Sequence, residues 1–314
     1  MDNLINIFIA ILPPFALLGI GGIARALGWF RAEADASLSM LTIRILYPCF
    51  ILFHILEQES YFLSVTTFQL VGCGFLSILF GFFLSWLVSR IFQINGEAGQ
   101  SFRFCSGIFN YGFIAIPVAL AFFQSEIVVY IILFNLGVEI AIWTVRILIL
   151  TANKLSLKGL LNPPAIAVVT ALFLKSFGGK ALIPTFVWEV LQSIALCSIP
   201  VGLILIGGSF YQLIRDFKFS NGFKTEIGSL IVRNILFPAS IMTILYHGIF
   251  PADIPFLKEV FLVQAAMPAG IFAVVIVGNY TGDRITAIRC IIVTMLGSLI
   301  TLPMWLMIGF AVLD

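Results

Sequence analysis

Residues 106–120 read SGIFNYGFIAIPVAL, an apolar stretch carrying Asn110, Tyr111, Gly112 and Pro117 near its middle. A second stretch, VQAAMPAGIFAVV, occupies 263–275 and holds Gln264, Met267, Pro268 and Ala269. A proline inside a helix removes a backbone donor and frees the carbonyl one turn before it. Each stretch therefore predicts a helix broken at its proline. Gaps of this kind are tolerated at membrane depth where they are buried in protein or line a cavity. Unpaired amides then open the second half-helix and freed carbonyls close the first, leaving partial charges of opposite sign. The amide ends suit a carboxylate or another anion.

Working outward, the rest of the chain is as apolar as these stretches. Of 314 residues, 61% are hydrophobic and 10% charged, against about 45–50% and about 25% in a soluble domain. Seventeen Lys and Arg, fifteen Asp and Glu and two His cannot cover a core of this size with polar surface. A soluble globule is excluded, and lipid is the solvent over most of the surface. The net charge of +2 gives no sign of a nucleic-acid partner. The first residues, MDNLINIFIAILPP, lack the basic flank of a cleaved signal peptide and read as a retained helix. The five cysteines have no paired or metal-like spacing and read as buried packing residues, so no disulfide, metal or other cofactor is expected.

Polar punctuation divides the chain into ten apolar runs, at 4–28, 38–56, 67–92, 100–123, 126–150, 161–178, 185–213, 226–250, 256–279 and 285–312. The predicted class is an all-α polytopic membrane protein of ten transmembrane helices. Fourteen of the seventeen Lys and Arg fall near alternate connections, and only Lys175, Lys180 and Lys258 fall near the others. That asymmetry places the basic connections in the cytoplasm and both termini outside. Landmarks also recur: Pro13-Pro14 with Pro163-Pro164, Gly28 with Gly178, Pro48 with Pro200, and Pro117 with Pro268. Five helices per half make the second copy enter from the opposite side. The expected organisation is a first five-helix repeat at 1–150, a short cytoplasmic linker at 151–160 and an inverted repeat at 161–314. Inverted repeats with broken helices are a transporter architecture, with the site near the midplane where the halves meet.

Around the gaps, Asn110, Tyr111 and Gln264 can orient a ligand without a buried charge, or hydrogen-bond between helices. Glu139 is the one carboxylate expected at mid-membrane, and Asn135 precedes it by one turn on the same face. It reads either as a proton carrier or as a constitutive partner of Arg146 or another arginine. Arg44, one turn before Pro48, is the arginine most open to an anion contact, while Arg103 and Arg289 read as interfacial anchors. No metalloprotease, prenyl-transferase, serine-hydrolase or P-loop signature occurs, so an enzyme is not expected. Nor is there a repeated filter or charge ring of a channel.

NYGFIAIPVALAFF (110–123) resembles the asparagine-glycine-proline signature of the auxin efflux carrier family, which holds plant auxin exporters and bacterial carriers described as malate or malonate permeases. LNPPAIAVVTALFL (161–174) is similar to that family's second-repeat opening, and AAMPAGIFAVVIVGNY (265–280) to its ninth helix. The resemblance spans the whole chain. It implies helices 4 and 9 crossing at Pro117 and Pro268, and an elevator-like movement of helices 3–5 and 8–10 against a scaffold of helices 1, 2, 6 and 7. The scaffold is commonly also a dimer interface. On the same resemblance Asn110 is the crossover asparagine and Glu139 lies near the helix 5 polar position of the pocket. Two departures stand out: residues 151–160 replace the plant carriers' long loop, and the third run lacks their charged pair. The expected function is secondary transport of a mono- or dicarboxylate across the cell's inner or plasma membrane, coupled to a proton or sodium ion. The alternatives are an uncoupled uniporter or channel-like pore and a non-transporting membrane sensor.

Overall fold

The structure is a computed structural model that describes residues 4–58, 65–150, 162–219, 223–250, 254–278 and 282–313. The predicted linker at 151–160, with Lys154 and Lys158, lies outside the described residues, as does the side chain of Arg146. The described chain is helical: α1 (Leu4–Ala26), α2 (Ala34–Leu41), α3 (Tyr47–Glu57), α4 (Val65–Ile91), α5 (Gly96–Gly107), α6 (Ala115–Phe122), α7 (Ile127–Leu150), α8 (Pro163–Ser176), α9 (Thr185–Arg215), α10 (Lys224–Leu230), α11 (Phe237–Tyr246), α12 (Leu257–Ala266), α13 (Phe272–Gly278) and α14 (Arg284–Leu313). Single π-helical segments, Thr42–Leu46 and Ile231–Leu236, join α2 to α3 and α10 to α11 into continuous rods.

Among the described residues, six helical spans are long and apolar enough to cross a bilayer: Ile5–Ala26, Ala34–Glu57, Val65–Ile91, Thr185–Arg215, Lys224–Tyr246 and Arg284–Leu313. Ile127–Ile142 and Pro163–Ser176 are shorter apolar helices. The runs predicted at 100–123 and 256–279 are each broken into two half-helices. Large apolar side chains on the long helices point outward, as with Phe68 (74% exposed), Phe186 (70%) and Ile300 (69%). Such a surface belongs in lipid. Cys197, predicted to be buried, lies exposed on α9.

Without a hydrophobic drive between helices in lipid, small residues that let backbones touch set the packing. A Cβ on Gly74 of α4 would sit 1.9 Å from the Phe134 carbonyl oxygen of α7, and one on Gly137 of α7 would sit 1.8 Å from that of Val71. α1 and α9 meet in the same reciprocal way through Gly21 and Gly207. α3 lies against α8 and α9, and α14 packs on α5, α10 and α12.

The proline landmarks do not act alike in the two halves. Pro13 and Pro14 lie inside α1, whereas Pro163 and Pro164 open α8, where a missing N–H removes no helical bond. Pro48 and Pro238 each follow a π-helical segment. Losing the donor to the carbonyl one turn back lets the helix take an extra residue into that turn.

Candidate functional site

α5 stops at Gly107 and α12 at Ala266, and the residues that follow, Ile108 and Met267, are extended. The two interrupted segments pass each other as an antiparallel pair at Phe109 and Ala269. The Asn110 N–H donates to the Pro268 carbonyl at 2.8 Å, and the Gly270 N–H donates to that of Ile108 at 3.0 Å. The Ala269 N–H donates to Thr294 Oγ1 at 3.2 Å. Backbone groups released from helices in an apolar interior must find partners, and here each broken helix supplies them to the other. A Cβ on Gly270 would lie 3.0 Å from the Phe109 carbonyl oxygen, so glycine keeps this approach open.

Pro268 lies at the crossing, but Pro117 does not, which corrects the prediction that the helices cross at both prolines. The first break spans 108–114, and Pro117 is the third residue of α6. In a first turn the N–H has no intrahelical acceptor, so Pro117 starts the second half-helix without opening the gap.

Polar side chains gather on one side of the crossing. Asn135 Nδ2 donates to the Tyr111 carbonyl at 2.8 Å. Gln264 Nε2 donates to the same carbonyl and to Asn135 Oδ1, both at 3.1 Å. The Tyr111 hydroxyl donates to Glu139 Oε1 at 2.5 Å, and Asn162 Nδ2 donates to Glu139 Oε2 at 3.1 Å. Asn162 Oδ1 in turn accepts the Ala165 N–H at 2.8 Å and caps α8. The carboxylate is thereby tied both to the crossing and to the start of α8.

A cavity of about 300 Å³ opens beside this network. Asn110, Tyr111, Gly112 and Glu139 line it, with Tyr47, Asn162 and the apolar walls of Ile206 and Ile271. Asn110 is 7% exposed, and its side-chain amide has no hydrogen-bond partner among the described residues. A second cavity of about 400 Å³ shares the walls Ile43, Phe113, Ile206 and Ile271. It extends to Asp35 at the start of α2, Gln212 at the end of α9 and Arg284 at the start of α14. Asp35 accepts from Arg25 Nη1 at 3.1 Å, while Arg284 is exposed at the rim.

The remaining predicted site residues lie elsewhere. Gln264, Met267, Pro268 and Ala269 form the crossing itself and do not line the larger cavities, and neither does Pro117. Asn135 lines only a small space of about 20 Å³ behind Tyr111 and Glu139. Arg44 is exposed and lines none of these three spaces. Three residues went unrecognised in sequence. Asn162 precedes Pro163-Pro164 as a helix cap would, and Tyr47 adjoins Pro48; both sequence contexts were available signals. Arg233, counted with the connecting-loop cations, is 1% exposed beside the crossing.

The sequence profile of the membrane transport protein family matches residues 6–157 and 146–306. An uncharacterized transporter of Methanocaldococcus jannaschii is 26% identical over 297 residues, which cover 92% of this chain and 94% of the relative.

Proposed function

The chain belongs to the membrane transport protein family, the auxin efflux carrier family resembled in its sequence, and from that premise we propose that it is a secondary carrier of small organic anions. The supporting observation is the buried, unpartnered Asn110 amide on the wall of a cavity bounded by two crossing half-helices. An amide can donate to a carboxylate, and can both donate to and accept from a carboxylic acid, without a second buried charge. The exposed Arg284 at the outer cavity attracts anions from solution.

Glu139 is the proton-coupling group in this scheme, and sodium is the other candidate coupling ion. Ten spans in two inverted repeats would let α4–α7 and α10–α14 move as an elevator against α1–α3, α8 and α9, which also offer a homodimer surface. Gln264, Asn135, Met267, Pro268 and Ala269 then support the site by holding the crossing. The outer cavity reaches the connections rich in Lys and Arg, so it would open to the cytoplasm of a cell whose inner or plasma membrane holds the protein.

The test is uptake of radiolabelled malate, malonate, pyruvate and indole-3-acetate into liposomes holding the purified chain, with and without a pH gradient. Saturable accumulation of one acid is the expected result. Non-saturating flux would point to a pore, and ligand binding without flux to a sensor; either outcome removes the carrier.

A further inference from the structure

Arg233 sits in the sequence IVRNILFP, within the π-helical segment that precedes Pro238. Pro238 cannot donate to the Asn234 carbonyl. Trp305 Nε1 does so instead, at 2.8 Å. The displaced turn buries Arg233 almost completely, at 1% exposed. Its Cζ lies 4.2 Å from the centroid of the Phe237 ring and 5.2 Å from that of Phe109. Nη2 donates to the Met267 carbonyl at 3.3 Å. Nε and Nη1 have no partner, and among the described residues no carboxylate pairs with this guanidinium.

An uncompensated cation in a bilayer is costly and is retained where its field has a use. Met267 is the C-cap of α12, the negative end of the first half-helix. In carriers with discontinuous helices, such ends and their unwound carbonyls are where a coupling cation is held. Here a guanidinium already occupies that end. Phe109, which faces Arg233 with its ring and also lines the 300 Å³ cavity, is the layer between this charge and the cavity.

We propose that Arg233 is a built-in cation of the carrier, held at the end of α12 in the position a coupling sodium ion would take, so that an anion is drawn to the crossing without sodium. It acts through Phe109 and the Met267 carbonyl and is a positioning residue. The inference rests on the carrier reading above for its anion. The occupied cation position does not depend on which acid is carried.

The experiment compares thermal unfolding of the purified full chain in sodium chloride and choline chloride at equal ionic strength. The wild-type chain and Arg233→Lys, which keeps the charge, are expected to unfold at the same temperature in both salts. Arg233→Gln vacates the position and is expected to be stabilised by sodium in a saturable manner. In liposomes the KM of Arg233→Gln, for whichever of the four labelled acids the wild type accumulates, should be about tenfold higher in choline than in sodium. Saturable sodium stabilisation of the wild type overturns the proposal, as does a folded Arg233→Gln that ignores sodium. Should Arg233→Gln not fold, the wild type and Arg233→Lys decide, since a sodium response in either means the position is open. Failure of all four acids in wild-type liposomes would count against the carrier and leave the unfolding comparison intact.

Discussion

Asn110 has two roles at separate atoms. Its backbone N–H closes the bridge to Pro268, and its side chain faces the cavity without a partner. Asn110→Ala keeps the first and removes the second, so it should weaken binding of the transported acid by about 1–3 kcal/mol. The check is a raised KM for uptake beside an unchanged unfolding temperature; an unaltered KM would take Asn110 out of the site. Glu139 is held between the Tyr111 hydroxyl and the Asn162 amide, both donors. Glu139→Gln fixes the group as neutral while leaving an oxygen to accept one of these bonds. It should abolish the response of uptake to a pH gradient, and proton-driven uptake that persists would leave Glu139 structural. Polar residues within apolar runs were easy to find in sequence, which is why Asn110, Tyr111 and Glu139 could be named. Arg233 was not, because an arginine near a predicted helix end reads as an interfacial anchor. Its burial follows from the extra residue in the turn before Pro238, a backbone event with no local signature beyond the proline.

The same limit governs the elements. Prolines that look alike in the sequence have different outcomes, which depend on the group that takes over the freed carbonyl; Pro13, Pro14 and Pro200 stay inside uninterrupted helices. Pro163 opens a helix, Pro117 lies in a first turn, Pro48 and Pro238 follow π-helical segments, and Pro268 sits in the crossing. Proline position was legible; its consequence depends on partners far away in the chain, such as Trp305 for Asn234. The gap before Pro117 was misplaced for this reason. Its carbonyls and amides are claimed by residues of the other broken helix, which no local reading contains. Helix contacts offer a sharper test. Gly137→Leu would force a side chain to within 1.8 Å of the Val71 carbonyl oxygen, whereas a Cβ on Gly72, one position along α4, meets nothing within 4 Å. Overpacking of this kind costs about 1–3 kcal/mol and occasionally more. Gly137→Leu should therefore unfold at a clearly lower temperature or fail to yield monodisperse protein, and Gly72→Ala should match the wild type. Equal behaviour of the two would contradict the α4–α7 contact.

For the whole molecule, orientation follows from charge. Lys218 lies after α9 on the side rich in basic residues, while Lys180 precedes α9 and Lys258 lies at the start of α12 on the other. The positive-inside rule puts Lys218 in the cytoplasm and the other two outside. In a background without the five native cysteines, a membrane-impermeant maleimide applied to intact cells should label Lys180→Cys and Lys258→Cys. Lys218→Cys should react only after permeabilisation. Labelling of Lys218→Cys and Lys258→Cys alike from outside would undo the inverted arrangement, because those positions are separated by the rod formed by α10 and α11. The orientation also bears on direction of access. The 400 Å³ cavity ends among Asp35, Gln212 and Arg284, at the same end of the bundle as Lys218. If Lys218 is cytoplasmic, an acid reaching Asn110 in this conformation comes from inside the cell, past the exposed Arg284. In the elevator movement proposed above, a rigid shift of the crossing helices against α1–α3, α8 and α9 would carry the acid across without unmaking the bridge between Asn110 and Pro268.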